Sequence, residues 1–300
     1  MLRLFAVWPL VFLVAASPRV EHRPTGSMEV KRLKVNDAEL AYVEEGAGET
    51  VVFVHGAAGD WRTWDSLRPL IAEKYHYVAL SRRYHYPNAW PDDGKNYSVT
   101  QHVEDLAVFI RALHAGKVHL VGGSYGGRVA GFVALKYPEL LRSVVLSEPG
   151  LIAPVTEEGK SVRAEFLKEY AAALAIAKEG YLRRAAVLLY DAVQDDKNAF
   201  EKAPPERRQR WLENARTLIP MDEGADPPPV TCEQLTGLKV PALVMRGENT
   251  RAVFRYGNER LLGCLPKGTQ SAVVPGAPHI WYTVNPGDGA KAILGFIAGH

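Results

Sequence analysis

Apolar residues in this chain fall into short runs separated by segments with helical spacing. Runs at 49–54, 75–80, 118–121, 143–146, 241–245 and 271–274 are four to six residues long and read as buried strands. Between them, 100–113 carries Val103, Leu106, Val108, Phe109, Ile110 and Leu113 at helical spacing, and 128–137 also reads as helix. Residues 28–45 alternate apolar and polar and are broken by Asn36-Asp37, which predicts an antiparallel hairpin. Buried runs alternating with helices predict an α/β fold: a mostly parallel sheet with crossover helices on both faces.

The rhythm breaks over 149–238. That stretch is rich in Ala, Leu, Glu, Lys and Arg, and 162–178, 181–193 and 205–219 read as helices before Asp226-Pro227-Pro228-Pro229. Its length exceeds what a simple crossover needs, so it predicts a helical cap inserted into a core formed by 28–148 and 239–300.

The first residues differ again. Met1-Leu2-Arg3, an apolar stretch over 4–16 and Val14-Ala15-Ala16-Ser17 have the layout of a secretory signal peptide over 1–17, followed by a polar, flexible lead-in over 18–27. The apolar stretch is too short for a comfortable membrane span. The expectation is an exported protein, periplasmic or secreted. Cys232 and Cys264, the two cysteines, then either form one disulfide or remain two free thiols.

A formal charge of +2, with no basic run and no aromatic-basic stripe, gives no footprint for nucleic acid. No cysteine, histidine or acidic cluster has the spacing of a metal site, so neither metal nor cofactor is expected. The partner expected is a small-molecule substrate; the oligomeric state is left open.

The most informative motif is Gly122-Gly123-Ser124-Tyr125-Gly126, a G-x-S-x-G pentapeptide between the apolar run at 118–121 and the helix at 128–137. Strand, sharp turn and helix with serine at the apex make a nucleophile elbow. Small residues two before and two after the serine are required, because side chains there would collide across the turn.

Together, His55-Gly56 after an early strand, the elbow at Ser124, a cap after the next strand and a late histidine resemble the α/β-hydrolase fold superfamily over 28–300. The resemblance implies an eight-stranded-type sheet and a serine hydrolase. It assigns the general base to His279, on the loop after a late strand, in the order serine then histidine. Oxyanion donors would be the N–H groups of Tyr125 and Ala57.

The chain departs from the pattern at the acid. The expected aspartate follows the strand at 241–245, but this chain reads Gly247-Glu248-Asn249-Thr250 and holds threonine in that slot. Glu148, immediately after the strand at 143–147, is the favoured substitute, with Glu248 the alternative. Trp61, Trp64 and Trp281 lie near the presumed catalytic loops and are candidates to line a substrate site. Cap arginines Arg163, Arg183 and Arg184 are at helical spacing and read as a solvated face.

A serine at the elbow points to attack on an acyl carbon and an acyl-enzyme resolved by water. The reading that follows is a carboxylesterase or lactonase for a small, largely apolar substrate. A carbon–carbon bond hydrolase or perhydrolase on the same scaffold is the alternative. A non-catalytic ligand-binding relative is the third, kept open by Thr250.

Overall fold

Eight strands form one sheet, and the order in which they lie side by side decides where the site falls. The computed structural model describes residues 28–223, 227 and 230–300; the signal-peptide and lead-in expectations lie outside them. The strands are β1 (Lys31–Val35), β2 (Ala38–Glu45), β3 (Thr50–Val54), β4 (His76–Leu80), β5 (Val118–Gly123), β6 (Leu141–Ser147), β7 (Ala242–Gly247) and β8 (Gln270–Val274). Their spatial order is β1-β2-β4-β3-β5-β6-β7-β8.

β1 and β2 form the antiparallel hairpin expected at Asn36-Asp37, with Asn36 at φ 48°, a left-handed turn conformation that asparagine tolerates. From β3 onward the pairs are parallel. All residues of β3 and β5 are buried, as strands covered by helices on both faces must be. The chain leaves β3 for β4 on one side and later enters β5 on the other. This reversal opens a crevice at the carboxyl ends of β3 and β5, the place where open α/β sheets bind ligands.

Helix Val99–Ala112 starts at Ser98, whose side chain accepts from the Gln101 N–H and satisfies one of the donors a helix start leaves open. It and helix Tyr125–Lys136 cover one face of the sheet. Between β6 and β7 the described chain is helical: Glu157–Lys178, Leu182–Gln194, Ala199–Lys202, Pro205–Glu213, Leu218–Glu223 and Cys232–Thr236. The single helix expected over 205–219 is broken at Asn214, where the chain turns (φ −99°, ψ 1°). The Asn214 amide donates to buried Asp60 and accepts from the Tyr86 N–H, both 2.8 Å away, which fixes the break.

Cys232 and Cys264 are disulfide-bonded, joining helix Cys232–Thr236 to helix Ala252–Cys264. Among the described residues, no helix is long and apolar enough to cross a membrane.

Candidate active site

Ser124 sits at the end of β5 with φ 53° and ψ −122°, a conformation that side-chain-bearing residues rarely adopt and that functional turns hold by over-determination. Two constraints hold it. Its N–H donates to the Ser147 carbonyl at the end of β6 (2.8 Å), and helix Tyr125–Lys136 begins directly after it. A Cβ at Gly122 would run into the Gly126 carbonyl, and one at Gly126 into the Val54 and His55 carbonyls, so both elbow glycines are obligatory. The Ser124 hydroxyl is half-buried and makes no protein hydrogen bond among the described residues.

Glu148 follows β6 in a left-handed conformation, φ 46°, with its N–H on the Met245 carbonyl (3.1 Å). That turn aims its side chain toward β7. One carboxylate oxygen accepts from the Gly247 N–H (2.8 Å); the other accepts from the Thr250 hydroxyl (2.7 Å) and from His279 Nδ1–H. The carboxylate is wholly buried, and three donors replace the water it has lost. Phe254 stacks on the imidazole, centroids 3.9 Å apart, and fixes the ring plane. With Nδ1 engaged, Nε2 is the nitrogen left for proton transfer.

Thr250 therefore does not replace an acid; it donates to one that arrives from the neighbouring strand end. Glu248, the alternative, is exposed, and its carboxylate accepts from the Gly276 N–H (2.7 Å), a contact that braces the loop carrying His279. It does not touch the imidazole.

The loop after β3 is locked from behind by a polar cluster that sequence reasoning did not find. Arg82, 3% exposed, donates from Nε to the His55 carbonyl (3.2 Å) and from Nη2 to the Gly56 carbonyl (3.0 Å). These are the carbonyls preceding the Ala57 N–H. Tyr125 is the first helical residue, a position whose N–H no intrahelical carbonyl can take. Its ring lies under the Arg82 guanidinium (4.3 Å) and its hydroxyl contacts His102 (3.2 Å). The one signal in the sequence was a pair of arginines one residue beyond a buried strand.

If the Ala57 N–H serves as the oxyanion donor that the sequence resemblance implies, Arg82→Met should lower kcat about 100-fold, with a smaller change in KM, since a shift of about an ångström in such a donor is enough. Steady-state kinetics on the folded variant checks it.

Three buried histidines complete the cluster. His55 Nδ1–H donates to the Gly56 carbonyl while Nε2 accepts from the Arg82 N–H; His85 Nδ1–H donates to the Gly59 carbonyl; His102 Nδ1 accepts from Arg82 Nη1. Burial first, then the Arg82 charge, pushes all three well below the usual histidine value. The unfolded chain then takes up these protons before the folded one. Stability is intact above the ordinary value of about 6.5 and is lost below it, at about 1.4 kcal/mol per pH unit for each histidine. Denaturant melts between pH 7.5 and 5.5 should show this steep loss; an unchanged midpoint would contradict it.

Two of the three tryptophan candidates are corrected. Trp64 and Trp281 are both 0% exposed; Trp64 packs against Phe53 and Tyr282, and the Trp281 indole N–H donates to Ser147 Oγ (2.7 Å). They are core residues whose faces are spent on protein. Trp61 is half-buried and packed at the core's edge. Arg163, Arg183 and Arg184 are exposed, as a solvated face requires. A small, open cavity of about 20 Å³ lies instead between Gly56 and Ala57 on one side and Arg207, Arg210 and Trp211 of the helical insertion on the other, with Ile280 and Tyr282 at its side.

Residues 51–292 match the Alpha/beta hydrolase family, more than half the chain. The chain belongs to that family. A 2-(acetamidomethylene)succinate hydrolase from Mesorhizobium japonicum is 27% identical over 89% of this chain and 94% of its own length. A 2-hydroxy-6-oxo-6-(2'-aminophenyl)hexa-2,4-dienoic acid hydrolase from Metapseudomonas resinovorans is 26% identical, covering 87% and 88%. Among solved structures, a carboxylesterase from Bacillus subtilis superposes with a TM-score of 0.73 at 19% identity, over 92% of this chain and 93% of the other. That likeness speaks to the shared fold. Among the described residues of this alpha/beta hydrolase, no group of three or more His, Cys, Asp or Glu side chains could hold a metal ion.

Proposed function

We propose that the chain is a serine hydrolase that cleaves an ester or lactone bond of a small substrate through an acyl-enzyme. The observation that carries the reading is the buried Glu148–His279 pair, oriented by two further donors, on the loop system beside a strained, solvent-reachable Ser124. Ser124 Oγ attacks the acyl carbon while His279 Nε2 takes its proton. The carbonyl oxygen gains the electron pair and is met by the N–H groups of Ala57 and Tyr125. When the carbonyl re-forms, the bond to the leaving oxygen breaks and His279 returns the proton to it. Water then repeats the sequence in reverse, freeing the acid and Ser124. Glu148 stabilises the imidazolium in both halves.

A second reading, cleavage of a carbon–carbon bond next to a ketone, draws on the similarity to the dienoic acid hydrolase, named for a 6-oxo acid rather than an ester. The disulfide supports export to an oxidising compartment, where such bonds persist.

A fluorophosphonate should label the folded protein on one residue, located at Ser124 by peptide mass spectrometry. A panel of acyl esters against vinylogous diketones then separates the two readings. Folded protein that stays unlabelled and turns over neither class overturns both.

A further inference from the structure

Arg210 is a half-buried cation without an ion-pair partner among the described residues. Its Nε is sealed from water and has no hydrogen-bond partner. Two carboxylates feel its charge, Asp60 and Asp65. Asp60 is already occupied: Arg62 and Asn214 donate to both its oxygens at 2.7–2.9 Å. Asp65 has one buried oxygen that itself lacks a partner. Burial also pushes the Arg210 pKa down, the direction expected of a charge removed from water without compensation.

Arg210 and Arg207 stand three residues apart on helix Pro205–Glu213, hence on one face, and both line the cavity described above. The opposite wall is Gly56 and Ala57. A Cβ at Gly56 would lie 3.2 Å from Ser124 Cβ and 3.8 Å from its Oγ. The cavity wall at Gly56 therefore abuts the nucleophile, so a substrate that reached from Ser124 over Gly56 would meet the arginines. A purely apolar occupant would leave the guanidinium desolvated and unpaired, which is costly. A planar anion fits its fork of donors.

We propose that this cavity is a carboxylate subsite, in which the substrate's own carboxylate pairs with Arg210 while Arg207 adds a second positive charge. The inference rests on the serine-hydrolase reading and revises the expectation of a largely apolar substrate to one that is apolar around the scissile bond and anionic at one end.

Matched esters test it. On the acyl side, monoethyl succinate is compared with ethyl butyrate; on the leaving-group side, 4-acetoxybenzoate is compared with 4-acetoxybenzamide. In at least one pair the wild-type enzyme should favour the carboxylate by about 100-fold in kcat/KM. Arg210→Met should bring that ratio close to one, mainly through KM, and Arg210→Lys should leave it intermediate. If Arg210→Met does not fold, inhibition of ethyl butyrate hydrolysis by succinate but not by succinamide carries the same information on the wild type.

No carboxylate preference in either pair, or equal loss on both members of a pair in Arg210→Met with a lowered melting temperature, would overturn the subsite; the latter outcome makes Arg210 a structural counter-ion to Asp65. Neutral esters turned over without a carboxylate preference sink this proposal alone. An unlabelled Ser124 with no turnover sinks the hydrolase reading and this with it.

Discussion

Ser124→Ala should lose turnover of every acyl ester by about 10⁴-fold or more and should no longer take a fluorophosphonate. The magnitude follows from chemistry: without the hydroxyl there is no acyl-enzyme, and what remains is binding and the oxyanion donors acting on water. The fold should survive. Alanine carries the same Cβ into the left-handed elbow, and the hydroxyl makes no protein hydrogen bond that would be missed. A melting temperature close to that of the wild type, combined with loss of activity, separates a chemical role from a structural one. Turnover within tenfold of the wild type would remove Ser124 from the mechanism.

Glu148→Gln should be nearly as severe, about 10³–10⁴-fold in kcat, although the side chain keeps its shape. An amide can still accept from the Gly247 N–H. It cannot accept from both Thr250 and His279 on one atom while carrying a negative charge. Once its NH2 group faces the ring, His279 must present Nδ1 as acceptor, which puts its proton on Nε2, where the serine's proton has to go. The imidazolium also loses its counter-charge, a carboxylate held where water does not reach. Steady-state kinetics with burst analysis checks this, since acylation and deacylation both use the same base and both should slow. Full turnover in the variant would place the acid elsewhere.

The parts of this molecule that could be read from the chain are those whose cause is local. The hairpin follows from Asn36-Asp37, β3 and β5 from unbroken apolar runs, and the elbow from glycines that the turn itself demands. Glu148 was accessible because it ends a strand, and the structure brings it to His279 across β7.

What could not be read depends on distant packing. Trp64 and Trp281 are near the catalytic loops in sequence, yet their burial depends on Tyr282 for the first and Ser147 for the second, each far away along the chain. The break at Asn214 needs Asp60, and nothing within 205–219 announces it. Arg210 looked like any charged residue on a polar helix; only the cavity opposite distinguishes it from Arg183 and Arg184.

The contact between Asn214 and Asp60 has a mechanical consequence. Asp60 caps the short turn at Trp61–Trp64, immediately after Gly59, and also holds Arg62, which reaches back to Glu213 (2.5 Å). The helical insertion and the loop after β3 are thus riveted at one buried carboxylate. Were the insertion to lift away from the sheet, it would have to shear that rivet or drag the loop along. Any gearing between the two runs through Asp60.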